Sequence, residues 1–484
     1  MNDRLTQDPG APRGCPVAPG DAHDRAPGDA HDRAPGDAHD RAPGDAHDRA
    51  PGDAHGSAHD PADGGSAGGA GGGLTRLYGP GAATDPQELY ARLRKEYGAV
   101  APVLLEGDVP AWLVLGYREN RRVLDNARQF SRDARIWRDR KEGRVDDRSP
   151  LIPMLGWRPD CVSQDGEPHR RLRGAVTDNL RTVAARGIRR HVAHFAHRQI
   201  DAFAGTGSAD LVGEFAEYLP MLVLTRLFGL PAAEGRNLAV SCAQVIKGGE
   251  DALTHNDLIM RILADLTDRK RAEPGADFTT GLIEHEAGLD EDEILNHLRL
   301  VLITAHTTTS NLLARVLQLV LTDTSRLAGL VSGELDVSAV VEEVLWNTPP
   351  LTVLPGRFAA VDLELAGHRV MEGDLLLLGL AAGNLDPGIR PEAGVSVRGN
   401  QSHLAFSGGA HECPGQGIGQ AIIGTAVDVL LHRLPGLRLA VPAGELTSTA
   451  STWETRLDRL PVEFAARTGE ERQTGEGLQT GEGL

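Results

Sequence analysis

Residues 406 to 415 read Phe406-Ser407-Gly408-Gly409-Ala410-His411-Glu412-Cys413-Pro414-Gly415, a cysteine in a glycine-rich turn directly before a helical stretch. Backbone N–H groups at such a turn converge on one point and stabilise an anion there, which is what a thiolate ligand to a metal requires. Glycines let that backbone approach a flat cofactor closely. Upstream, His169 and Arg173 stand four apart, so on a helix both can reach one carboxylate. A third stretch, Leu302 to Asn311, sets a cluster of hydroxyl side chains in a helical run.

Positioning these groups requires a core, and the 484-residue chain is long enough for one large or two ordinary ones. Residues 1–73 carry the octapeptide GDAHDRAP repeated and a Gly-rich linker, with 13 Asp against 6 Arg. Too few apolar side chains stand there to offset the cost of ordering the backbone, so a disordered tail is expected. Its repeated histidines read as solvated low complexity rather than a metal site. A second tail is expected over 467–484. Between them, 74–466 reads as mainly α with small β-sheets: helix-patterned from 166 to 331, short strands after Pro349-Pro350, and a final helix from about Gln416 to Leu434.

The net charge of -18 argues against a nucleic-acid partner. Four scattered cysteines make no disulfide framework, and no apolar run is long and clean enough for a leader or a membrane span. A cytoplasmic protein is expected. Gly415 to Gly419 reads G-Q-G-I-G, but it follows no strand and lacks the last glycine of a dinucleotide fingerprint. His191, His194 and His197 share roughly one helix face, where a solvated basic helix is the plainer reading.

The pattern F-x-x-G-x-H-x-C-x-G at 406–415 resembles the haem-binding loop of the cytochrome P450 family, and the resemblance extends over about residues 75 to 466. It implies a cytochrome P450 fold, a single large haem-thiolate domain, with haem b (iron-protoporphyrin IX) as cofactor and Cys413 as the iron ligand. By the same resemblance His169, Arg173, Arg357 and His411 hold the haem propionates. Phe406, Gly409 and Gly415 of the loop are by this resemblance cofactor-binding residues too, and Ala305 allows close approach to the haem. Thr308 matches the threonine that organises dioxygen and protons. The implied activity is that of a monooxygenase acting on a small apolar substrate, fed by a ferredoxin-type donor.

Three positions depart from the family pattern. Thr307 replaces the acid before Thr308; a hydroxyl can relay a proton through water but carries no useful charge near pH 7. Trp346 replaces the arginine of the E-x-x-R motif that begins at Glu343, and Pro391 to Gly394 offers no second arginine, although Arg398 could stand in for one. Pro414, lacking an N–H, removes one donor to the sulfur, so a lower iron potential than in Pro414→Leu is expected. These departures leave an alternative function: a haem-binding ligand sensor or regulatory partner with little turnover. Residues 169–198 hold eight Arg and one Asp, a basic stretch that resembles the surface on which the family docks an acidic electron donor. Residues 133–164 correspond to the variable loop over the distal pocket, where Leu151, Met154 and Trp157 could line a cavity.

Overall fold

The computed structural model describes residues 73–79, 86–248, 251–390 and 397–466. The octapeptide repeats, the 467–484 stretch and Pro391 to Gly394 lie outside them. Nine helices matter here: α1 (Pro86–Tyr97), α2 (Tyr117–Asp125), α3 (Gly166–Ala185), α4 (Ile188–Phe203), α5 (Gly235–Lys247), α6 (Ala252–Ala272), α7 (Glu291–Thr322), α8 (Val337–Asn347) and α9 (Gln416–Arg433). Helix α7 begins with a capping box: the Asp290 side chain accepts from Glu293 N at 2.8 Å, and the Glu293 side chain accepts from Asp290 N at 3.0 Å. Its 32 residues run about 48 Å through the protein. Helices α5, α6, α8 and α9 pack on it, so it is buried almost all round. Val176, Val192, Leu313, Val344 and Ile423 join five helices in one apolar core.

A six-stranded sheet carries the other functional residues. It contains β1 (Thr75–Arg76), β2 (Val100–Leu105), β3 (Val109–Val114), β4 (Phe130–Ser131), β5 (Val353–Ala359) and β6 (Leu375–Gly379), in the order β1-β2-β3-β6-β5-β4. Strand β6 pairs parallel with β3 and antiparallel with β5. The β5–β6 register shifts between Leu354 and Arg357, around Pro355-Gly356, where Gly356 has φ +81°. That conformation suits glycine, and the irregularity re-aims the strand so that Arg357 is fully buried. Two further strands, β7 (Ser448–Ala450) and β8 (Thr455–Leu457), form a hairpin against α7.

Candidate functional site

The cysteine loop is built from its own backbone. Cys413 N donates to Phe406 O at 2.9 Å and Ser407 N to Leu404 O at 2.8 Å, closing the turn just ahead of α9. Cys413 is exposed as a residue, yet neighbours crowd its sulfur. Desolvation pushes the thiol pKa up, while the backbone N–H groups of Gly415 and Gln416 work in the opposite direction by hydrogen bonding to sulfur. The residue after Cys413 being proline, the donors come from the next two positions. Gly409 owes its identity to φ +66° and to Leu124 O, which a Cβ would meet at 2.5 Å. The end of α2 thus constrains this position. Ser407, a non-glycine at φ 64°, carries strain of about 1 kcal/mol.

Beside this loop lies a cationic pocket. His411 Nε2 sits 3.2 Å from Asp165 Oδ1, and Asp165 Oδ2 accepts from Ser131 Oγ and Arg132 N, each at 2.8 Å. The His169 and His411 rings lie 4.2 Å apart. Arg357 is 0% exposed and all three of its side-chain nitrogens lack a partner, as do His169 Nε2 and His411 Nδ1. Burial, and then Arg132, pull the Arg357 pKa down to about 9. Burial holds His411 down at about 3 despite Asp165. Burial works to raise Asp165, but hydrogen bonds from His411, Arg132 and Ser131 win and hold it at about 2. Arg132 is spent on the carbonyls of Val162, Pro355 and Gly356.

An unpaired buried guanidinium costs several kcal/mol, so this pocket fits a ligand that brings carboxylates. The two acidic arms of a porphyrin are such groups, and a thiol on the adjoining loop suits its iron. Arg173 differs from the expectation in detail. Its guanidinium donates to Glu412 O in the cysteine loop, and its Nε to Thr177 Oγ1 at 3.2 Å, so it braces the loop from α3.

Helix α7 splits the two threonines singled out from the sequence. Thr307 is 4% exposed and its hydroxyl donates to Ile303 O at 2.8 Å, on the packed side. The relay expected of Thr307 would need this hydroxyl to leave Ile303 O. Thr308 is half-buried on the accessible strip with Ala305, and its hydroxyl donates to Thr304 O at 2.6 Å. Ala305, Phe406 and Ile418 are partly buried and pack on the same core, which ties this strip to the cysteine loop and α9.

Where the E-x-x-R arginine is missing, other contacts hold α8. Trp346, 2% exposed, donates Nε1–H to Asn400 O at 2.6 Å, and Arg390 lies 5.6 Å over its ring. Glu342 pairs with His403 at 3.1 Å, both buried. Glu343 pairs with Arg326 at 3.2 Å. The charge of Arg398 acts on Asp336 at the start of α8.

Sequence reading passed over Asp165, Arg132, Glu342, His403 and Thr304. Asp165 stands at the N-cap position of α3, which disguises it as a capping residue, although its side chain makes no cap. Among the described residues no group of three or more His, Cys, Asp or Glu side chains could hold a metal ion, His191, His194 and His197 included. Nor is any helix among them long and apolar enough to cross a membrane.

No protein-family model matches the chain. Individual relatives do. Mycinamicin IV hydroxylase/epoxidase of Micromonospora griseorubida is 30% identical over 382 residues, covering 76% of this chain and 90% of that protein. Cytochrome P450-SOY of Streptomyces griseus is 30% identical over 395 residues, covering 79% and 93%. Among solved structures, CYP154C4 from Streptomyces sp. ATCC 11861 gives a TM-score of 0.74 at 28% identity, covering 82% of this chain and 100% of that one. CYP154A1 from Streptomyces coelicolor A3(2) gives 0.71 at 28%, covering 79% and 98%. Fold and likeness together define a haem-thiolate monooxygenase, an oxidoreductase. The chain belongs to the cytochrome P450 family.

Proposed function

We propose that residues 74–466 form one haem domain that binds haem b through Cys413 and places one atom of dioxygen into a C–H or double bond of a small apolar molecule, in the cytoplasm. The bound haem supplies dioxygen activation at the expense of two electrons, the second oxygen atom leaving as water. Arg357, His169 and His411 take the two carboxylates, and Asp165 orients His411. Phe406, Gly409 and Gly415 fix the turn, with Arg173 bracing it from α3. Ala305 keeps α7 thin above the site, and Thr308 offers a hydroxyl for proton delivery. The observation that carries this reading is Arg357, fully buried with three unpartnered nitrogens, on the strand beside a thiol-bearing turn.

For the electron donor we propose a ferredoxin-type protein steered by charge. Supporting this, Arg186, Arg189, Arg190 and Arg198 are exposed on and just before α4, and α4 packs on α9, the helix that follows Cys413. Turnover with a surrogate ferredoxin, its reductase and NAD(P)H against a panel of apolar compounds tests the activity; oxidised product supports it. Reduction that does not slow as salt rises contradicts the docking face.

A further inference from the structure

Helix α7 is buried along its length, yet Thr304 near its middle is the only exposed residue between Glu293 and Leu321. A β-branched polar residue there adds neither packing nor helix propensity. It lies one turn before Thr308, on the strip shared with Ala305. Both hydroxyl hydrogens on this strip are committed: Thr304 Oγ1 donates to Leu300 O at 2.7 Å and Thr308 Oγ1 to Thr304 O at 2.6 Å. What Thr304 leaves open is an oxygen that accepts. With its hydrogen held on the Leu300 carbonyl, the Thr304 oxygen is a fixed acceptor.

We infer that Thr304 is a specificity-determining residue, its oxygen accepting a hydrogen bond from an O–H or N–H group on an otherwise apolar substrate. This rests on the haem-site reading above and deepens it by naming the substrate class: hydroxylated or N–H-bearing hydrocarbon skeletons rather than bare ones. Residues one helical turn apart stand about 5–6 Å from each other, so a donor anchored at Thr304 holds the rest of the molecule at the level of Thr308. An acceptor left without its donor in the complex discriminates against an analogue that lacks the donor.

The test uses haem-loaded wild type, Thr304→Val, which keeps the shape and removes the oxygen, and Thr304→Ser, which keeps the oxygen. Steroid and terpenoid alcohols are each compared with their own methyl ethers, dissociation constants being read by calorimetry. Each protein is first checked for its thiolate-specific carbon monoxide band; a missing band in wild type counts against the haem reading itself. With the band present, wild type and Thr304→Ser are expected to prefer at least one alcohol over its ether by roughly three- to tenfold. Thr304→Val should bind both alike. No preference in any pair, or a preference that persists in Thr304→Val, overturns the inference.

Discussion

Trp346 Nε1 donates to the Asn400 carbonyl at 2.6 Å, fastening α8 to the chain that leads into the cysteine loop. The indole does this without charge, and Glu343, which the motif would pair with an arginine at 346, is engaged by Arg326 instead. Loss of one neutral hydrogen bond in Trp346→Phe should therefore cost about 1 kcal/mol. Trp346→Arg should cost more, about 3 kcal/mol, because it buries a guanidinium beside Arg390 with no carboxylate released to meet it. Urea unfolding of the haem-loaded variants checks the order; greater stability in Trp346→Arg would contradict it.

Arg357 should show effects of opposite sign with and without cofactor. Its guanidinium is buried and unpartnered within the protein, so Arg357→Met should stabilise the haem-free chain by at least 1 kcal/mol. The same change should weaken hemin binding by about 10- to 100-fold, since a carboxylate partner is lost. Urea midpoints of the haem-free protein and hemin titrations measure the two. Both quantities moving in one direction would show that Arg357 does not serve a bound anion.

The two adjacent threonines should behave unequally. Thr307→Val removes a hydroxyl that serves only Ile303 O on the packed side, and product formed per oxygen consumed should stay within about twofold of wild type. Thr308→Val removes the hydroxyl on the accessible strip, and the same ratio should fall at least about tenfold. Equal losses would restore a role to Thr307.

Glu454, on the β7–β8 hairpin, is 3% exposed, and desolvation raises its pKa from 4.5 to about 7, with Arg456 working weakly against that. An acid raised on folding contributes stability that is complete below its unfolded pKa and is lost as pH climbs through the folded one. Between about pH 4.5 and 7 the wild type should thus lose roughly 2–3 kcal/mol relative to Glu454→Gln. Urea midpoints of both proteins at pH 5 and pH 8 give the difference; parallel curves would contradict it.

The cysteine turn, the following helix and the long central helix were legible because their determinants are local: ten consecutive residues for the turn, one periodic run for each helix. Asp165 and His411, 246 residues apart, meet only through tertiary packing. The phase of α7 was likewise hidden. A helix buried almost all round has no polar face to orient it, so nothing local told Thr307 from Thr308, and Thr304 drew no notice. That Arg357 would turn inward at Pro355-Gly356 depended on pairing with β6, contributed from farther along the chain.

The most direct measurement is the reduced, carbon monoxide difference spectrum of hemin-reconstituted protein, taken for wild type and Cys413→Ser. Wild type should show the band specific to thiolate-ligated haem, and the serine variant should lose it while still binding hemin through Arg357, His169 and His411. An unchanged spectrum in Cys413→Ser, or a wild type that takes up no hemin, would contradict the account.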